Sequence, residues 1–389
     1  MTGVSDVREV LYVQDKQALN TLCEALRGSE WLALDTEFLR EKTYFPKLCL
    51  LQIASESLIA CVDPLAIDDL TPLFEVIYDT SITKILHSAR QDYEILFYLM
   101  GRLPEPVFDT QVAASLCSGL EQIGYAALVQ QVVGVDLEKG CTRTDWSQRP
   151  LAAAQLRYAE DDVRYLGELF HQQSRVLRER GLLSWLSEEC VSLISPETYE
   201  IVPEKTWLRI KESRRLKPAQ LVVLKSLAAW REQQAVERDK PRKWVVRDDT
   251  LAELAVKKPQ NELELSKIQG LSDGLVARHG KELLSLIDEA QKIPEEHWPC
   301  LPHRQKRSAD EQVQIEVMMA LIAKYADEYG VALPVFGGKK DLEALLNSHE
   351  NNRLLQGWRY EVFGKILLAF LQGETKLTLV DGELVIEQA

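Results

Sequence analysis

The stretch WLALDTEF, residues 31–38, sets two carboxylates inside an otherwise apolar run. Four apolar residues before the acids and an aromatic after them read as a central β-strand, in which residues two apart leave the same face. Asp35 and Glu37 therefore share a face, a geometry that suits a divalent cation. An unpaired carboxylate in such a strand costs on the order of several kcal/mol unless a cation or a donor offsets it. The spacing alone does not identify a site. D-x-E occurs five times, beginning at Asp35, Asp92, Asp136, Asp341 and Asp381, and an edge strand with a solvated face also accommodates the first. Its apolar surroundings set that first instance apart.

Outward from this strand, short β-branched or leucine-rich runs alternate with helical patterns. REVLYV and a helical stretch at 16–27 precede it; KLCLLQIAS and SLIACVD follow, joined by a polar turn near Ser55 to Ser57. The arrangement predicts hairpin-connected antiparallel strands, then a crossover helix over 69–78 and a further strand over 82–87. The fold class is mixed α/β. From Arg90 onward helices dominate, with Asp109 and Thr110 read as a helix start and a long helical pattern over 151–180. A first domain over 1–200 ends in SPETYEIVPE (195–204), which has two prolines and no apolar periodicity and reads as a linker.

Beyond the linker there is almost no strand signal. LKPAQLVVLKSLAAWREQQAVERD is amphipathic at helical spacing, with Pro218 tolerated in a first turn. A second break, IPEEHWPCLPHRQKR at 293–307, carries three prolines and a basic run. Two small helical domains are expected, over 205–292 and 305–389, the last ending in a hairpin around Asp381 and Gly382.

The chain has 389 residues, 46% of them apolar and 27% charged, enough to bury several cores and far from the composition of disordered chains. No stretch approaches the ~18 uninterrupted apolar residues of a membrane span, and MTGVSDVREV lacks the pattern of a signal peptide, so a cytoplasmic location is expected. Seven cysteines, at 23, 49, 61, 117, 141, 190 and 300, include no C-x-x-C pair and predict reduced thiols rather than disulfides or a zinc site. The net charge of −14 argues on average against a polyanion partner. Its distribution argues otherwise: residues 1–200 carry all of it, whereas 205–270 alone sum to +7. An acidic half fits a carboxylate cluster for metal, and a basic module fits contact with a polyanion.

Two further acids complete a constellation. In KILHSARQDYEIL, Asp92 follows a short strand and opens a helix, so it is presented at a strand's carboxyl end; the helix dipole alone would also favour an acid there. In LRYAEDDVRYLGELF, Tyr158 and Asp162 are four apart and share a helix face. Among twelve tyrosines this is the one with Asp four residues on, although a half-buried tyrosine beside a solvated acid would look the same.

In their order, DTEF, HSARQD and YAEDD resemble the three motifs of the DEDD 3′-5′ exonucleases, in the branch whose third motif carries tyrosine. DTEFLREKTYFPKLCLLQIA, VFDTQVAASL, GYAALV and DWSQRPL extend the resemblance to the ribonuclease D family. That family joins an RNase H-like α/β exonuclease domain to two small all-α HRDC-type domains, a layout that covers essentially the whole chain. The resemblance implies that Asp35, Glu37, Asp92 and Asp162 bind metal and that Tyr158 positions or activates the attacking water. Asp35 would bridge two Mg²⁺ or Mn²⁺ ions, Glu37 and Asp162 would hold the nucleophile-side ion, and Asp92 would act through water. The chemistry is coherent, because clustered carboxylates repel one another and hard divalent cations relieve that cost. Two such ions support in-line displacement at phosphorus without a covalent nucleophile. A phenol of ordinary pKa ~10 is a poor base at neutral pH, so orientation is the role expected of Tyr158.

Further contacts are weighed around these motifs. Thr36, Phe38 and Gln52 flank the first and could meet the terminal nucleotide, with core packing the competing reading for Phe38. His87 could touch substrate or be satisfied by backbone. Trp146, Ser147 and Arg149 precede the third-motif helix, where Arg149 could meet a phosphate or serve a structural loop. The implied partner is RNA, with tRNA precursors the family's substrate, gripped by the helical module over 207–289; no membrane partner and a monomer are expected. The rivals are a DNA exonuclease of the same superfamily and a noncatalytic RNA-binding protein.

Overall fold

The structure, a computed structural model, describes residues 8–138, 140, 144–301 and 307–388. The start of the signal-peptide reading, Cys141 and residues 302–306 of the 293–307 break lie outside the described residues. β1 (Glu9–Val13) leads into α1 (Lys16–Leu26), whose first turn is capped by Asp15 accepting from the Ala18 N–H at 2.9 Å. β2 (Trp31–Leu39) follows, then β3 (Lys47–Ala54) and β4 (Leu58–Val62), the last two antiparallel with Leu51 opposite Val62 and Ala54 opposite Ile59. The polar turn at Ser55 closes this hairpin. α2 (Thr71–Ile77) crosses to β5 (Thr83–Leu86), and α3 (Arg90–Met100) returns to β6 (Val107–Asp109).

The six strands lie in the order β1-β4-β3-β2-β5-β6. β1 runs parallel to β4, and β5 parallel to both β2 and β6, so the sheet is mixed. β4 is buried along its whole length and β3 along all but Lys47, because both are interior strands. Lys84 in β5 is also fully buried, and its ammonium donates to three carbonyls, Asp79 at 2.8 Å and Ile82 and Glu105 at 2.5 Å. Those three acceptors match its three donors and offset the burial. β6 is not anticipated by sequence: three residues behind two prolines carry no periodicity.

Asp109 caps α4 (Thr110–Ser118) by accepting from the N–H groups of Gln111 and Val112, as its position predicts. α5 (Tyr125–Val132) follows. The helical pattern over 151–180 divides at Tyr165 into α6 (Ala153–Arg164) and α7 (Leu166–Glu179), and α8 (Leu183–Cys190) comes next. Gly167 lets α7 approach β2: a Cβ there would lie 2.4 Å from the Trp31 ring.

α9 (Pro218–Glu237) begins with its proline in the first turn, where the missing N–H is no loss. α10 (Arg242–Val245), α11 (Asp248–Lys257), α12 (Glu262–Leu265) and α13 (Asp273–Gln291) surround it. α9 is less one-sided than its sequence suggests. It buries ten residues, Arg231 and Glu232 among them, because it is the central helix of its group. α14 (Ala309–Glu328), α15 (Leu333–Phe336), α16 (Lys339–Asn347), α17 (Gly357–Arg359) and α18 (Lys365–Leu371) precede the hairpin of β7 (Thr375–Val380) and β8 (Glu383–Gln388). Asp381 and Gly382 form its turn with φ of 51° and 88°, the left-handed pair a two-residue hairpin needs.

Contacts divide the chain into two compact units. The first joins Met1–Glu37 and Leu48–Thr198 to Lys306–Ala389. Its C-terminal segment packs on α8, where Trp185 and Trp358 stack at 3.8 Å, Glu188 accepts from the Trp358 N–H at 3.0 Å and Glu189 pairs with Arg359 at 2.6 Å. The second unit is Tyr199–Gln305 together with Phe38–Lys47, the segment in which β2 ends. Among the described residues no cysteine forms a disulfide, and no helix is long and apolar enough to cross a membrane.

Candidate active site

β2 pairs with β5 only as far as Ala33 opposite Ile85, so Asp35 and Glu37 project past the carboxyl end of β5 on one face. The chain leaving β5 turns through His87, Ser88 and Ala89 into α3, whose first turn carries Asp92. α6 supplies Tyr158 and, one turn later, Asp162. One carboxylate oxygen each from Asp35, Glu37 and Asp162 lies within 4.8 Å of the others. The donor set is all carboxylate oxygen, which fits a hard divalent cation; among the described residues no histidine or cysteine joins it.

The electrostatics express the same need. Burial, followed by repulsion from Asp92, Asp162 and Glu37, holds the Asp35 carboxyl well above its ordinary range. Burial and the neighbouring Asp162 and Asp92 push Glu37 up to about 8. Asp162 rises to about 7 through burial and Asp161, although the Tyr158 hydroxyl donates to it and counteracts the rise. Asp92 rises less, to about 6, because burial is partly countered by Thr36, whose hydroxyl donates to it at 2.5 Å. Tyr158 is pushed above the ordinary phenol value by burial and then by Asp162, Glu37 and Asp35. A cavity of about 990 Å³ opens beside α6, lined by Tyr125, Gln130, Arg157, Tyr158, Asp162 and Tyr165 among others.

The other sequence candidates are placed differently. Thr36 is buried and committed to Asp92. Phe38 is half-buried and alternates to the strand face opposite Asp35 and Glu37. Gln52 is fully buried in β3 opposite Cys61, with no hydrogen-bond partner for its amide among the described residues. His87 has both ring nitrogens engaged, with Thr110 Oγ1 at 2.9 Å and the Ile123 carbonyl at 3.0 Å, so the backbone-satisfied reading describes it. Arg149 clamps Asp63 through Nε and Nη2 and also donates to the carbonyls of Cys49, Trp146 and Gln148. The phosphate contact considered for it gives way to a structural one, because a partner lay 86 positions away. Ser147 donates to Asp145 in the exposed loop, and Trp146 is buried with its ring 6.2 Å from that of Tyr158.

Tyr125 is a support not foreseen from sequence. Its hydroxyl donates to the Asp161 carbonyl at 2.8 Å and accepts from the Tyr165 N–H at 3.3 Å, tying α5 to α6 beside Asp162. The only signal for it was its place in GYAALV.

A mixed sheet with flanking helices, three acids within 4.8 Å of one another, a fourth that acts on them electrostatically, and a tyrosine one turn before Asp162 define a 3′-5′ exonuclease of the DEDD class. Residues 10–178 match the family described as a 3′-5′ exonuclease, and residues 220–287 match the HRDC domain. A ribonuclease D of Zymomonas mobilis is 38% identical over 377 residues, covering 96% of each chain. One from Bartonella henselae is 34% identical over 369 residues, 93% of this chain and 90% of its own. Among solved structures, RNase D of Escherichia coli, described as an exoribonuclease involved in structured RNA processing, superposes with a TM-score of 0.83 at 33% identity, covering 93% of this chain and 98% of that one. The chain belongs to the ribonuclease D family of 3′-5′ exoribonucleases.

Proposed function

We propose that the protein trims single-stranded 3′ ends of structured RNA, tRNA precursors among them, and releases nucleoside 5′-monophosphates one at a time. It acts as a monomer in the cytoplasm. Asp35, Glu37 and Asp162 would hold divalent cations, two Mg²⁺ or Mn²⁺, with Asp92 supporting the site from α3. Bound there, the ions supply the positive charge that offsets the carboxylates and the charge developing on the scissile phosphate. The side chains divide the remaining work. Thr36 holds the buried Asp92, and the Trp146 ring packs near Tyr158. Tyr158 keeps its proton at neutral pH because burial and the surrounding acids raise its pKa, so it orients the attacking water by hydrogen bonding rather than deprotonating it.

The observation that carries this reading is the convergence of Asp35, Glu37 and Asp162 within 4.8 Å beside Tyr158. The test incubates the protein with 5′-labelled RNA bearing a single-stranded 3′ tail, and with the matching DNA, in Mg²⁺, Mn²⁺ or EDTA. The expected result is a metal-dependent ladder shortening from the RNA 3′ end, with DNA much slower because the 2′-OH is read. Asp35→Asn should abolish the ladder while RNA binding survives. Equal cutting of DNA would remove the ribonuclease assignment, and RNA binding without cleavage would leave a noncatalytic binder.

A further inference from the structure

Residues 205–270 carry sixteen Lys and Arg against nine Asp and Glu, and part of that excess borders a cavity of the second unit. The cavity, about 520 Å³, is lined by Arg40, Thr43 and Tyr44 from the segment after the catalytic strand and by residues between Thr206 and Asp248. Five cations face two acids in its lining. Two of the cations are spoken for: Arg231 pairs with Asp248 at 2.6 Å, and Arg242 holds Glu232 through two bonds of 2.6 Å. Arg209 and Lys243, both exposed, have no carboxylate partner among the described residues. Trp244 is 60% exposed beside them, with the Lys240 ammonium 6.0 Å from its ring.

The wall is built rather than casual. Tyr44 donates its hydroxyl to the fully buried Glu232, and the Arg242 guanidinium lies 5.1 Å from the Tyr44 ring. The N–H groups of Tyr44 and Phe45 donate to Asp239 at 2.9 and 3.0 Å. Arg231, 3% exposed, keeps a buried Nε without a hydrogen-bond partner among the described residues. An enclosed floor, unneutralised cations and an exposed indole are the combination that holds a phosphodiester and stacks a base.

We propose that this pocket seats a nucleotide of the RNA strand, its phosphate against Arg209 and Lys243 and its base on Trp244. The inference rests on the RNA-hydrolysis reading above. The strand is favoured over a free mononucleotide because the pocket wall begins a few residues after Glu37 in the chain, so the same β2 exit that carries the catalytic acids also forms the grip on the substrate. An indole offers little to a purely acidic peptide, which makes the nucleic acid the better match.

The test measures fluorescence anisotropy of 5′-labelled 20-nucleotide single-stranded RNA on the full chain in EDTA across a salt series. Variants R209E/K243E and W244A are compared with K267E/R278E, which makes the same charge change on exposed residues outside the pocket. R209E/K243E should weaken binding tenfold or more and flatten the slope of log K against log salt by about 1.4, at ~0.7 per single-strand phosphate. W244A should weaken it about tenfold with the slope unchanged. Hydrolysis of a dinucleotide should be the same in all variants, whereas the KM for the long RNA rises with kcat preserved. Equal weakening by the control pair, or competition by polyglutamate as strong as by RNA, would overturn the pocket in favour of diffuse charge. Saturable 5′-AMP binding that R209E/K243E removes without affecting RNA would make it a free-nucleotide site instead. If wild-type protein hydrolyses neither substrate, the nuclease reading fails; if it hydrolyses both and the pocket variants bind RNA normally, the pocket alone fails.

Discussion

Tyr158 and Thr36 each contribute a single hydroxyl, and each is separable from packing by a substitution that removes only that group or nearly so. Tyr158→Phe should lower kcat about 10²-fold or more with little change in RNA affinity, as expected when a group acts on the attacking water rather than on binding. Near-normal turnover would reduce Tyr158 to a packing residue beside Trp146. Thr36→Val leaves the buried Asp92 carboxylate without its donor and raises its pKa further. Activity or metal affinity should fall about 10- to 100-fold, as for other groups that orient a ligand from behind, and the acid limb of the pH profile should move to higher pH. An unchanged pH profile would detach Thr36 from Asp92. At this scale Asp35 and Glu37 stood out because charge inside an apolar strand demands a reason, whereas Asp92 and Asp162, on helices, were settled only by the family resemblance. The duties of Thr36, His87 and Arg149 were not, since each is set by a partner 23 to 86 positions away.

The loop before α6 owes its place to the Arg149 clamp. Asp63 is 1% exposed; burial would raise its pKa, but the Arg149 and Tyr12 bonds outweigh it and hold the carboxyl below the usual range. Arg149→Ala should cost about 2–3 kcal/mol at pH 7, below the ~3–5 kcal/mol of breaking a fully buried pair because the guanidinium is partly solvated. The sign follows from the depressed pKa: the pair's contribution is present above about pH 4 and is lost on acidification, so the difference from wild type should shrink as pH falls below 4. Urea melts at pH 7 and pH 3.5 check this, and a pH-independent difference would point to lost packing instead. Strand and helix types around the site were readable from periodicity and capping. The division of the 151–180 pattern at Tyr165 was not, and neither was the close approach of α7 to Trp31 at Gly167, a contact invisible to local spacing.

At the scale of the whole molecule, the acid cluster opposes folding unless a cation joins it. Asp35, Glu37, Asp92 and Asp162 all bind protons more tightly folded than unfolded. Their contribution to stability is therefore full below about pH 4 and fades as pH rises through 6 to 8 in the absence of metal. In EDTA the Tm should fall between pH 5 and 8.5, and Mn²⁺ or Mg²⁺ should restore several degrees at pH 8 but little at pH 5, at about 2–4 °C per kcal/mol. Asp35→Asn should raise the metal-free Tm at pH 8 by removing one repulsive charge. A metal shift independent of pH would place the ion elsewhere. Sequence alone determined the α/β class, the helical second half, the helix start at Asp109 and the terminal hairpin, because strand and helix periods and short-range capping are encoded within a few residues. Tertiary structure alone decided that Thr36 serves Asp92, that Arg149 serves Asp63, that the segment after Glu37 joins the helical unit through Tyr44 and Glu232, and that the last helices pack on α8. Each of these depends on two surfaces meeting far apart in the chain, where a side chain takes its function from the partner that desolvates it.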